Sequence, residues 1–187
     1  MLTVMLLNLQ ELYGYRIRAL RADIGEIKEF YLQDEDWKIW SIAVIAGASR
    51  FRKKEIYLSS KFLKEIDTEK RIFFIQQTKW EIQNQLPEIL DPEKDPHLKP
   101  AGQLLGFTVK ALDGEIGKVE DLVVNDANLA IQYLSVNLNT SGEKLNLSPW
   151  QSEKIDWKKQ SISLGFTLNE LHDYHARHSY CAQRMTC

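Results

Sequence analysis

The sequence predicts a mainly β protein made of two tandem small barrels, each ending in a short α-helix and joined by a proline-rich linker. Three observations carry that prediction. The chain repeats itself, with Gly14 and Gly25 recurring ninety-two positions later as Gly106 and Gly117, and Asp34 as Asp126. Each copy divides into short apolar runs separated by turn residues, which is the spacing of a small barrel or sandwich. Between the copies, LPEILDPEKDPHLKP holds four prolines in fifteen residues, the composition of a semi-rigid extended linker. The division that follows is a first barrel over 9–86, a linker over 87–100, a second barrel over 101–175 and a tail over 176–187.

The opening run, MLTVMLLNL, is too short to span a bilayer, and an extra strand or a segment docked on a barrel accounts for it. It lacks the basic start and cleavage site of a secretory signal, so the expected compartment is the cytoplasm. Strands are expected over 15–20, 26–33, 38–45, 55–59 and 71–76. In the third, period-two geometry puts Trp40, Ile42 and Val44 on one face, and the repeat keeps that phase with Leu134, Val136 and Leu138. Each copy then shows a helix-start signal, Thr78-x-x-Glu81 and Thr167-x-x-Glu170, in which hydroxyl and carboxylate cap two orphan amides. In the second copy Leu168, Leu171 and Tyr174 continue at helical spacing.

The glycines of ALDGEIGKVEDLVVND, read alone, invite comparison with a phosphate loop. Such a loop opens a helix, and no helical period follows Gly117. Gly14, Gly25, Gly106, Asp113, Gly114 and Gly117 are therefore read as turn formers, since glycine accepts positive φ and aspartate bonds its own backbone. The same residues carry a family resemblance. Leu104-x-Gly106, Ala111, Asp113-Gly114-Glu115-Ile116-Gly117, Val119 and Asp121, followed by Leu147-Ser148-Pro149 and Ile155-Asp156, resemble the PRC-barrel domain. The first copy has a weaker version in Leu12-x-Gly14, Ala19, Asp23-Ile24-Gly25, Leu58-Ser59 and Ile66-Asp67, and departs at Arg21-Ala22, where the family has Asp-Gly.

That family includes the cytoplasmic barrel of the photosynthetic reaction-centre H subunit and the C-terminal barrel of a ribosome maturation factor. The resemblance implies a bacterial, cytoplasmic protein, or one peripheral to a membrane complex, that docks on a larger assembly. It supplies no catalytic residue and no cofactor. In keeping with it, the sequence has no nucleophile elbow, Walker loop, zincin helix or dinucleotide fingerprint, and a non-enzyme is expected.

Composition narrows the partners. A net charge of −2 disfavours a strongly basic nucleic-acid reader. The densest basic cluster, Arg50, Phe51, Arg52, Lys53 and Lys54, is the expected contact for an unidentified protein partner, or for an anionic surface such as RNA or a lipid headgroup. Exposed tryptophans, Trp37, Trp80 and Trp150, would extend it unless they pack over a barrel mouth. Two readings stand beside the adaptor. His172, His175, His178 and Cys181 recur every three residues with zinc-ligand chemistry, though positions three apart drift around a helix axis. An RNA- or ribosome-associated role follows from family analogy alone. The only cysteines, Cys181 and Cys187, lie in the tail and read as free thiols of a reducing compartment.

Overall fold

A computed structural model of the chain describes residues 4–33, 35–47, 54–84, 92, 95–139, 142–171 and 173. In chain order the elements are β1 (Leu6–Asn8), α1 (Leu9–Leu12), β2 (Arg16–Ala19), β3 (Ala22–Gln33), β4 (Lys38–Ala46), β5 (Lys54–Ser59), β6 (Leu63–Asp67), β7 (Ile72–Ile75) and α2 (Lys79–Asn84). The second half runs β8 (Leu98–Pro100), β9 (Thr108–Ala111), β10 (Gly114–Asn125), β11 (Ile131–Leu138), β12 (Lys144–Leu147), β13 (Ser152–Asp156) and β14 (Ser161–Leu164). They form two seven-stranded sheets, with the paths β5-β4-β3-β2-β7-β6 and β12-β11-β10-β9-β14-β13. The β2–β7 and β9–β14 pairs are parallel, and every other named pair is antiparallel.

The long strands β3 and β10 are shaped by bulges that recur in register. Ile24, Lys28 and Trp40 are extra residues against their partners in the first sheet, and Ile116, Glu120 and Gln132 are their counterparts in the second. A bulge resets the in–out alternation. At Trp40 this corrects the face expected from simple alternation: Ile39, Ile42 and Val44 are buried, while Trp40 is only half-buried. Its indole N–H donates to Asp36 at 2.8 Å.

Gly25 and Gly117 also depart from expectation. They lie inside β3 and β10 rather than in turns, and a Cβ at either would penetrate a neighbouring strand's carbonyl, Ile45 for Gly25 and Asn137 for Gly117.

The apolar N-terminal run does supply an extra strand, and its partner is in the other half. Leu6, Leu7 and Asn8 of β1 stand opposite Asn125, Val124 and Val123 of β10. Leu98, Lys99 and Pro100 of β8, which fall at the end of the stretch read as linker, stand opposite Gln33, Leu32 and Tyr31 of β3. Each pair is the other shifted by the repeat, so the halves exchange equivalent arms. They also meet where β4 and β11 begin. The Ile39 amide donates to the Leu129 carbonyl at 3.1 Å and the Ile131 amide to the Trp37 carbonyl at 2.8 Å, around a Lys38–Ala130 bridge. Trp37 and Leu129 take left-handed φ values of 52° and 54° to make this junction. Such a backbone is costly for bulky residues and persists only where its surroundings fix it.

One contiguous apolar cluster runs through both halves, from Leu9 to Leu171. Phe30 and Phe73 are fully buried, with ring centroids 6.2 Å apart, and Tyr15 meets Phe73 edge-on at 6.1 Å. In the second half Phe107 is buried edge-on against Trp157 at 5.6 Å. Both helix starts are capped as the sequence predicts. The Glu81 amide donates to Thr78 Oγ1 at 3.2 Å while Glu81 Oε2 accepts the Thr78 amide at 2.6 Å, and Thr167 and Glu170 repeat the pattern.

Candidate functional site

Two places concentrate polar chemistry and exposed apolar surface. The first is the seam. After the Lys28 bulge, Glu29 faces the arm of the second half, and its Oε1 accepts the Tyr13 hydroxyl at 2.5 Å, the Phe30 amide at 2.9 Å and the Gly102 amide at 3.3 Å. Its repeat counterpart is Asp121, whose Oδ1 accepts the Leu122 amide at 2.7 Å and the Gln10 amide at 3.2 Å. Gln10 also donates through Nε2 to the Glu120 carbonyl at 2.5 Å. Each acid thus holds the short helical turn that begins the other half, Ala101–Leu104 for Glu29 and α1 for Asp121.

Burial dominates the electrostatics. It pushes the Tyr13 phenol far above its ordinary range, with Glu29 adding to the effect, and it raises the Asp121 carboxyl despite the two amides that favour the charge. A raised carboxyl contributes stability that is present at low pH and lost as pH climbs through its folded value. Asp121→Asn keeps an acceptor for both amides and removes a half-buried charge. It is expected to be neutral to stabilising at pH 7, with the advantage over wild type shrinking toward pH 4. Thermal unfolding of the two proteins across that range checks it; a variant that is less stable at pH 7 shows instead that the charge holds the arm.

The second place is the pair of hairpin tips. In each half the tip is tied by its backbone to the bend between the last strand and the helix: the Leu20 amide donates to the Gln77 carbonyl at 3.0 Å, and the Leu112 amide to the Phe166 carbonyl at 2.9 Å. The tips present Leu20 at 61% exposure and Leu112 at 67%. Trp80, in the first turn of α2, is 71% exposed, and Phe166 is exposed as well. A cleft of about 330 Å³ opens between Glu35 and Trp37 of the first half and Pro149, Trp150, Glu153 and Ile155 of the second. Of the three tryptophans singled out in the sequence, Trp80 and Trp150 are at the surface, while Trp37 is buried in the seam.

The residues singled out in the sequence are distributed as follows. Gly14 and Gly106 turn the chain at φ 74° and 83°, each donating its amide to the opposite strand, to Ile27 and Val119. Gly114 follows the second tip at φ 143°, and the neighbouring Asp113 accepts the Leu168 amide, tying the tip to a helix start. Arg21 occupies the equivalent place in the first half, where the hairpin is instead clasped by Arg18 to Asp23 at 2.7 Å. That pair holds the Asp23 carboxyl below its ordinary range.

Lys54 is exposed at the start of β5, whereas Arg50, Phe51, Arg52 and Lys53 lie outside the described residues, as do His172, His175, His178 and Cys181. Among the described residues no group of three or more His, Cys, Asp or Glu is placed to hold a metal ion. None of their helices is long and apolar enough to cross a membrane. Sequence reasoning did not single out Glu29 and took Asp121 only as a motif residue, although an acid at the same position of both copies was a visible signal. No family model matches the chain, and no curated protein matches it.

Proposed function

We propose that the chain is a tandem PRC-barrel protein that works as a non-catalytic interaction module, docking a larger complex through its hairpin tips. The observation that carries this reading is the exposed leucine present at the same tip in both halves, Leu20 and Leu112. A large apolar side chain held in water at one place has no meaning by itself, but its repetition at the same tip of both halves marks surface available for association. Trp80 and Phe166 add exposed aromatic surface, and Lys54 ends the basic stretch expected to contribute charge. Support for the family comes from the glycine motif in the second copy and from its weaker echo in the first.

Leu20→Ser together with Leu112→Ser removes apolar surface that the fold does not bury, so the double variant is expected to keep the wild-type unfolding midpoint. In affinity purification from the source cell, a stoichiometric protein partner held by wild type is expected to be lost by this variant. Retention of that partner by the double variant, with loss only when Arg50, Arg52, Lys53 and Lys54 become Ala, moves the contact to the basic stretch. Retention by both variants contradicts the docking surface proposed here.

A further inference from the structure

The outer faces of the two halves share one frame, and the first is covered where the second is bare. On the first, Pro92 lines a cleft of about 380 Å³ together with Tyr31, Tyr57, Leu98 and Pro100. The two tyrosine rings meet edge-on at 6.0 Å, Leu98 is 4% exposed, and Ser41, opposite Tyr31 in β4, is fully buried. The repeat carries Leu98 to Leu6, Tyr31 to Val123 and Ser41 to Tyr133, which keeps the same register opposite Val123. There Leu6 is 51% exposed and Tyr133 37%, and Val4 and Met5, just before Leu6, also stand in water.

The rim of the frame is duplicated as well. Lys28 pairs with Glu55 at 2.5 Å on the first face, and Glu120 with Lys144 at 3.0 Å on the second. The signs are exchanged, with the base on β3 and the acid on β10. The segments that follow the two helix starts exchange sign too. Residues 85–97 carry four acids and one lysine, whereas 174–187 carry two arginines and no acid. An acidic segment suits the lysine of β3, and a basic one suits the glutamate of β10. Counted from Thr78 and Thr167, Pro92 and Cys181 each fall fourteen residues on.

From this we infer that the C-terminal segment 174–187 docks on the outer face of the second half, over Leu6, Val123 and Tyr133, as Pro92 does on the first. The segment lies outside the described residues, and its length fits the task. Eight residues carry the chain from Asn84, the end of α2, to Pro92; eight from Asp173 reach Cys181, and six more follow. Tyr180 and Met185 bring apolar area for the exposed patch, and Arg177 and Arg184 bring the charge that complements Glu120. Docking the chain's own end there closes a surface otherwise open to association. The inference is independent of the function proposed for the hairpin tips.

Cys181 is the probe, in full chains carrying Cys187→Ser. One chain adds Asn146→Cys, at the exposed counterpart of Tyr57, and a control adds Lys158→Cys, exposed in the turn between β13 and β14. Both are equilibrated in glutathione buffers at low protein concentration, and the disulfide to Cys181 is quantified by peptide mapping. The expected effective concentration is at least tenfold higher for Asn146→Cys than for the control. Adding Leu6→Ser and Tyr133→Ser, at two positions the fold leaves exposed, should bring that value down toward the control while the unfolding midpoint is kept. Equal values for the Asn146→Cys and Lys158→Cys chains overturn the docking. So does a bond that forms only between chains and rises with protein concentration, which assigns the patch to a second copy. A preference for Asn146→Cys that survives the two serine substitutions overturns the apolar patch as the docking surface.

Discussion

Gly25→Ala and Gly117→Ala are each expected to destabilise the protein by about 3 kcal/mol or more, among the largest effects of adding one methyl group anywhere in the fold. The reason is where the methyl would go. At both positions it would enter a carbonyl group of the neighbouring strand, Ile45 in β4 or Asn137 in β11, and a backbone carbonyl cannot rotate aside as a side chain can. Relief requires the strands to separate, which breaks the ladder beside the Ile24 and Ile116 bulges and disturbs two buried isoleucines. The same substitution at Gly14 or Gly106 meets open space and is opposed only by the positive φ, so its cost should be smaller. Chemical denaturation of the four alanine variants orders these effects. Equal losses at all four would show that close approach is not what holds Gly25 and Gly117.

Leu12→Ala and Leu104→Ala are expected to cost about 2–5 kcal/mol each, the range for emptying a closed apolar site. These leucines end the two exchanged arms and are 1% and 0% exposed. What distinguishes them from ordinary core truncations is where the damage should appear. Leu12 belongs in sequence to the first half, yet α1 packs on β10 of the second, and the Tyr15 amide that follows it bonds back to the Leu12 carbonyl. Loosening this arm should withdraw support from the second sheet and, through the single apolar cluster, from the first. Unfolding should therefore remain one transition at a lower midpoint, without splitting in two.

Much of the fold was legible because the repeat is visible in residues with local meaning. Gly14 and Gly106 sit where the chain turns, and Thr78 with Glu81, like Thr167 with Glu170, must lie three apart to cap a helix start. The spacing itself states the structure. The seam was not legible for an equally physical reason. The arms β1 and β8 are three residues long, and their partners lie in the other half, so no local periodicity marks them. Alternation misplaced Trp40 because the extra residue of a bulge leaves no trace in a pattern of apolar and polar letters. Strand β6 escaped for want of apolar content, Leu63 and Ile66 being its only large apolar residues. The docking residues are legible only in part: an exposed Leu112 reads in sequence as one more apolar turn residue, and its exposure appears only once the tip is placed.

The claim on which the rest depends is that each half is completed by the other's arm. Native-state hydrogen exchange on Leu12→Ala tests it most directly. If the halves complete each other, slow amides of β4 in the first sheet and of β11 in the second lose protection together and by similar factors. Loss confined to the strands around β10, with β2, β3, β4 and β7 keeping wild-type protection, would show two independent halves that merely touch, and would contradict it.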